Sequence, residues 1–228
     1  ELLAAAQRAE ERLAVLERRA DLEPSSIVRR AVLGEAGKLA SELGDPDRAL
    51  AAYDRRLRDD GSDTDALDAS IAVLESNARW EPLVAALQRR AAAAVLPQQK
   101  RHDLVHVARI QAEHLDAIGD AIDTWLTVRE QFGDEAETIA ALDTLMAQAM
   151  RWSELADIVG DAATRGRNGI AELLTRLGDI RRTELERPEE AAVAYERALR
   201  VDPAHEGARA GLRPLLDVEV CARRSVDA

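Results

Sequence analysis

Two tryptophan segments of this chain are near copies: Arg79-Trp80-Glu81-Pro82-Leu83 returns as Arg151-Trp152-Ser153-Glu154-Leu155, 72 residues later. A second series runs between them. Ala49-x3-Tyr53, Ala121-x3-Trp125 and Ala191-x3-Tyr195 are spaced 72 and then 70, and Leu43, Leu115 and Leu185 stand six residues before their alanines. If Leu83 and Leu155 hold the alanine's place, the series reads 49, 83, 121, 155, 191, with gaps of 34, 38, 34 and 36. A unit of about 35 residues cannot bury its apolar face alone, so neighbouring units must stack and share a core.

Composition makes those units helical. Hydrophobic residues are 46% of the chain but aromatics only 3%, so alanine, leucine and valine must build the core. Alanine and leucine are strong helix formers, and arginine and glutamate follow closely. Punctuation falls between the periodic segments: Asp45-Pro46 after Gly44, Asp60-Gly61, Leu96-Pro97, Gly133-Asp134, Arg187-Pro188 and Asp202-Pro203. A small residue such as Ala49 or Ala191 lets a second helix approach the first, and an aromatic four residues on shares its face. Trp80 and Trp152 fall where the chain enters a second helix, and a buried core role is expected for both.

These residues resemble the tetratricopeptide repeat, whose first helix carries W-x2-L-G-x2-Y and whose second carries A-x3-F and a closing proline. Ala191-x3-Tyr195-x2-Ala198-Leu199-x3-Pro203 is similar to the second-helix signature, terminal Asp-Pro included. Its first helix reads Leu174-x2-Leu177-Gly178, with one residue more than usual before the second. Leu33-x2-Ala36-Gly37 leads through Leu43-Gly44-Asp45 to Ala49-x3-Tyr53 in the same way. Departures are Leu83 and Leu155 for the alanine, Leu87 and Val159 for the aromatic, and Arg109 where the family glycine would fall. The resemblance covers residues 26 to 215, is that of a divergent bacterial array, and implies an all-α, α-α superhelix (solenoid) of tandem helix-turn-helix units. Residues 1–25 then form a partial repeat or capping helix, 26–217 about five hairpins plus a final helix in one continuous array, and 218–228 a tail.

The charge balance narrows the partner. Net charge is −12 and the pI near 4.9, which argues against nucleic acid, because phosphate binding needs clustered cations. Lys38 and Lys100 are the only lysines, and many arginines stand about one helical turn from a carboxylate, as in Glu10-Glu11-Arg12 and Glu196-Arg197-Arg200. The pattern reads as a solvated face laced by pairs along single helices. Alanine- and arginine-rich, lysine-poor usage points to a GC-rich bacterial source. No apolar run approaches the roughly 18 residues needed to span a bilayer. The chain opens inside a helical pattern without a starting methionine, as expected of a piece of a longer protein.

Signs of chemistry are few. Nucleophile elbow, phosphate loop, dinucleotide fingerprint and zinc-protease motifs are absent. The single cysteine, Cys221, rules out an intrachain disulfide and is compatible with cytoplasm or periplasm. His102 and His106 share a helix face but lack a third ligand at metal spacing, so no metal and no cofactor is expected. Arg165-Gly166-Arg167-Asn168-Gly169 fits a helix–helix turn better than an anion loop. Acidic pairs such as Glu189-Glu190 and Asp59-Asp60 are expected at helix ends, stabilising a dipole or capping a turn. The chain reads as non-catalytic.

In such solenoids the first helix of each hairpin lines a concave surface that binds peptides or helices. By alignment its inward positions are Lys38, Ser41, Asp65, Asp68, Glu75, Asp103, His106, Glu113, Glu137, Thr144, Arg176 and Thr183. Family members that clamp a C-terminal carboxylate use Lys, Arg and Asn at such positions; this set is net acidic. The expected partner is therefore another protein offering a basic or polar segment. The alternative is a regulatory or oligomerisation segment of a larger enzyme or signalling protein. Self-association is a further expectation, through an apolar first helix carrying Leu3, Leu13 and Leu16.

Overall fold

The computed structural model describes residues 2–166 and 169–226, with side chains over 7–166 and 169–216. Contacts gather into two compact units, Glu1–Ala117 and Ile118–Ala228. The first holds α1 (Leu2–Leu22), α2 (Ser26–Glu42), α3 (Pro46–Asp59), α4 (Thr64–Ser76), α5 (Trp80–Ala93) and α6 (Pro97–Glu113). The second holds α7 (Ile118–Phe132), α8 (Ala136–Gln148), α9 (Trp152–Arg165), α10 (Ile170–Asp179) with a π-helical turn at Ile180–Glu184, α11 (Pro188–Val201) and α12 (Glu206–Val226). α12 thus stays helical beyond residue 217, where the sequence period stops. Within each unit every helix packs on the next. Among the described residues all regular structure is helical, and no helix is long and apolar enough to cross a membrane.

The repeat is written into the turns. Each first helix ends on a residue in the left-handed region: Gly44 (φ 76), Ala78 (φ 52), Asp116 (φ 51), Met150 (φ 54) and Glu186 (φ 54). Their spacing of 34, 38, 34 and 36 is that of the alanine series. At Gly44 the amide donates to Ser41 O (3.1 Å) and that of Asp45 to Ala40 O (2.9 Å). Ala78–Arg79 and Met150–Arg151 repeat this pair of bonds, the Schellman closure that satisfies the last carbonyls of a helix. The next helix then starts under its own cap: Asp45 accepts from the Arg48 amide (3.0 Å) with Pro46 in the first turn, and Asp63 accepts from Ala66 (3.0 Å).

The one-residue excess in the last hairpin has a visible outcome. Gly37 lies nine residues before Pro46, but Gly178 lies ten before Pro188. The extra residue is absorbed by the π turn, in which Leu185 N donates to Ile180 O (3.1 Å) and Arg187 N to Arg181 O (2.7 Å). Widening a turn by one residue keeps Gly178 opposite Tyr195 without breaking the helix.

That opposition is close in each unit. A Cβ on Gly37 would lie 2.5 Å from Tyr53 Cε1, and one on Gly178 2.5 Å from Tyr195 Cε1. Tyr195 is fully buried and lies between Gly178 and Gly211. Its hydroxyl donates to Asp179 (2.7 Å) and accepts from Arg182 Nε (3.2 Å).

Three sequence expectations change. Leu13 and Leu16 do not form an exposed sticky end; they are buried with Ala20 against Val32, Leu33, Ala49 and Tyr53. The side chains of Leu3 and Cys221 lie outside the described residues, as do Arg167 and Asn168 of the Gly166–Gly169 loop. Trp80 and Trp152 are half-buried, and Trp80 lies flat on His114 with ring centres 3.8 Å apart; the buried tryptophan is Trp125. Finally, the charge pattern is wider than expected: pairs along single helices are present, as in Arg58–Asp54 and Arg200–Glu196, and others join different helices. Arg29 grips Asp59 through Nε (2.8 Å) and Nη2 (2.6 Å), Arg48 reaches Glu10 and Glu17, and Arg56 holds Asp63. The Asp59 carboxylate, at the unfavourable end of α3, is held below its ordinary range by its hydrogen bonds to Arg29.

Candidate interaction surface

In the first unit the expected groove residues lie on α2, α4 and α6. Lys38 is exposed with its Nζ 4.0 Å from Glu42, and the exposed Ser41 donates back to Gly37 O (3.0 Å). Asp65 is exposed. Asp68 accepts from Arg90 Nη1 (2.6 Å), while Arg90 Nε (3.0 Å) and Nη2 (2.7 Å) clasp both oxygens of Asp103. Gln99 adds a third donor to Asp103 at 2.9 Å. Arg90, on a second helix, thereby ties α4 to α6, and its guanidinium is raised chiefly by the bonds to Asp103.

Asp103 must be corrected as a groove residue. It is fully buried, its charge cancelled by a planar fork that a single carboxylate fits in bidentate fashion. A sequence aligned on period alone could not show this, because Arg90 lies on the other helix of the preceding hairpin. His106 is half-buried with Nε2 3.8 Å from Glu75, and His102 stands edge-on to it at 6.4 Å between ring centres. Glu113 is exposed. The structure therefore gathers Asp68, Asp103, Glu75 and His106 along α4 and α6. Asp65 and Glu113 form no ion pair among the described residues.

The second unit places its candidates on α8, α10 and the π turn. Glu137 is exposed, and Thr144 is exposed with its hydroxyl on Ala140 O (2.9 Å). Arg176 is bidentate on Asp143, at 3.0 and 2.8 Å. Thr183, in the π turn, donates to Asp179 O (2.8 Å). Here a feature appears that sequence alignment missed. An open cavity of about 600 Å³ lies between α8, α9 and α10. Ile139, Ala140, Val159 and Leu173 give it an apolar lining, and Asp143, Glu172 and Arg176 a charged one. Among the described residues no three His, Cys, Asp or Glu side chains are gathered as a metal site.

No protein-family model matches the sequence, and no curated protein matches it. Solved structures do. The Naa15/Naa10 complex bound to HypK-THB is 14% identical, over 92% of this chain and 39% of that one, with a TM-score of 0.53. YrrB, described as a TPR protein with an unusual peptide-binding site, is 16% identical over 80% of this chain and 91% of that one (TM-score 0.44). A tetratricopeptide repeat protein from Parabacteroides merdae is 14% identical over 90% and 91% (TM-score 0.41). With its 34-to-38-residue period, its glycine-on-tyrosine hairpins and this structural likeness, the chain has an all-α helical-repeat fold.

Proposed function

We propose that the chain is a non-catalytic scaffold that binds a basic or polar segment of another protein on the face formed by its first helices. The observation supporting this is a run of carboxylates on α4, Asp65, Asp68 and Glu75, joined by the exposed Glu113 at the end of α6. One guanidinium, Arg90, serves two carboxylates, Asp68 and Asp103, while Asp65 and Glu113 keep their charge facing solvent. Lys38 of α2 stands beside Glu42, and the cations of α6 are Lys100, Arg101 and Arg109. A lysine or arginine entering this face meets exposed carboxylates that attract it before contact, an attraction that salt screens. The open cavity of the second unit adds an apolar seat beside Glu172, suited to an aliphatic side chain of the same class of ligand.

The test is capture with the purified chain as bait at low and high salt, followed by direct titration of the purified partner. The comparison variant is Asp65→Lys/Glu75→Lys/Glu113→Lys, which leaves the Arg90–Asp103 clasp intact. Loss of a basic partner on charge reversal and at high salt is the expected result. A partner bound equally by the variant would remove the acidic face from the function.

A further inference from the structure

The geometry points to a second docking surface of opposite character: the outer face of α1, which we propose seats an acidic amphipathic helix of a partner protein. The helix is two-sided. Its inward side offers carboxylates, Glu10 and Glu17 to Arg48 and Asp21 to Arg55, and buries Leu13, Leu16 and Ala20 in the core. Its outward side carries Arg8, Arg18 and Arg19, all exposed and in no ion pair among the described residues. Between them stand Val15, 66% exposed, and Leu22, 77% exposed.

Val15 and Leu22 are two helical turns apart, with Arg18 and Arg19 on the turn between them. Val15, Arg18, Arg19, Leu22 and Glu23 line one shallow depression of about 360 Å³, and the Glu23 carboxylate is turned to the Ser25 amide at 3.1 Å. Ile27, at the start of α2, is a further exposed apolar side chain, 73% exposed.

The chemistry of the occupant follows from how this unit joins its own helices. Helices of the unit are laced by an arginine of one on a carboxylate of another: Arg29 on Asp59, Arg48 on Glu17, Arg55 on Asp21, Arg79 on Asp47 and Arg90 on Asp68. From Val15 to Leu22 the outer face of α1 presents the arginines and the apolar pair of such a joint, its exposed carboxylate Glu11 standing one turn before Val15. A helix that completes it carries aliphatic residues two turns apart and Glu or Asp between them. The exposed arginines select a helix that carries carboxylates over one that carries lysines. The inference stands apart from the acidic face of α4 and α6 and uses none of its residues.

The probe is a synthetic amphipathic helix of about 18 residues, with leucines two turns apart and glutamates between, titrated by fluorescence anisotropy. Its lysine counterpart is the control. The expected result is binding of the glutamate peptide, weakened about tenfold or more in Arg18→Glu/Arg19→Glu and in Val15→Asp/Leu22→Asp, with no binding of the lysine peptide. All four positions are exposed, so far-UV circular dichroism of both variants should match the parent; the Asp65→Lys/Glu75→Lys/Glu113→Lys variant should still bind the glutamate peptide. Equal binding of both peptides, undiminished binding by the Arg18/Arg19 variant, or no binding at all would overturn the assignment. So would parent chain that self-associates through this face in sedimentation, or that binds phosphatidylserine vesicles while ignoring the peptide.

Discussion

Gly178→Ala should destabilise the chain, although the same change in an ordinary helix interior stabilises it. Glycine costs a helix about 1 kcal/mol relative to alanine, so propensity alone favours the substitution. Packing opposes it. The new methyl would stand 2.5 Å from Tyr195 Cε1 and 2.7 Å from Cδ1, well inside van der Waals contact. The ring cannot yield: it is fully buried, it lies equally close to Gly211 on its other side, and its hydroxyl is fixed on Asp179. Overpacking a rigid site costs about 1–3 kcal/mol, and here the upper half of that range applies. Subtracting the propensity gain leaves a net loss of about 1–2 kcal/mol. Gly160→Ala in α9 is the internal control, since its Cβ would meet only Leu177 Cδ2, at 3.6 Å. That variant should gain about 0.5–1 kcal/mol. Urea unfolding followed by far-UV circular dichroism gives both signs, and a cycle with Tyr195→Leu should erase most of the Gly178 penalty. If both alanine variants stabilise alike, the ring yields and the proposed glycine–tyrosine lock does not exist.

Other substitutions and conditions probe separate parts of the argument. Ala78→Gly and Met150→Gly, at exposed left-handed turn positions, should each raise stability by about 0.5–1 kcal/mol in the same urea assay, and Gly44→Ala should lower it by about 1 kcal/mol. Thr138 is fully buried and its hydroxyl has no hydrogen-bond partner, so the isosteric Thr138→Val should stabilise by about 1 kcal/mol, read as a higher urea midpoint. Tyr195 is pushed up to about 12, first by burial and then by its bond to Asp179, and burial raises Tyr53 as well. A phenol whose folded value exceeds its unfolded value near 10 supports the fold below pH 10 and loses that support as pH rises toward 12, by about 2–3 kcal/mol at most. Absorbance at 295 nm should therefore show little tyrosinate at pH 10 in the folded chain, and Tyr195→Phe should flatten the alkaline decline in stability.

The backbone period was legible because it is carried by buried positions. Ala49, Leu83, Ala121, Leu155 and Ala191 mark the same fully buried place in successive hairpins, which only an apolar side chain can fill. Gly37 and Gly178 were legible because each faces a tyrosine ring that leaves no room for a side chain. The extra residue before Pro188 could be counted, but its absorption into a π turn could not be read from a one-dimensional pattern. The left-handed residues Ala78, Asp116, Met150 and Glu186 escaped notice because none is glycine; the closure of the turn forces the conformation on whatever residue stands there. Trp80 and Trp152 were placed at the right turn but not at the right depth, since the identity of a residue does not reveal how much of its ring a neighbouring helix covers.

Charge was the harder part to read, and the reason bears on function. An arginine reaches about 6–7 Å from its Cα, far enough to choose a partner on its own helix or on the next. Sequence spacing displays only the first choice. The second prevails where Arg48, Arg56 and Arg90 each find a carboxylate fixed by another element, because less side-chain freedom is lost when one partner is already held. Groove acidity counted from sequence is consequently too large at Asp68 and Asp103, which share the guanidinium of Arg90. What remains for recognition are the charges that no helix of the unit satisfies: Asp65 and Glu113 on the first-helix face, and Arg18 and Arg19 on α1. Two residual charges of opposite sign on separate surfaces can hold two different ligands at once, the arrangement a scaffold requires.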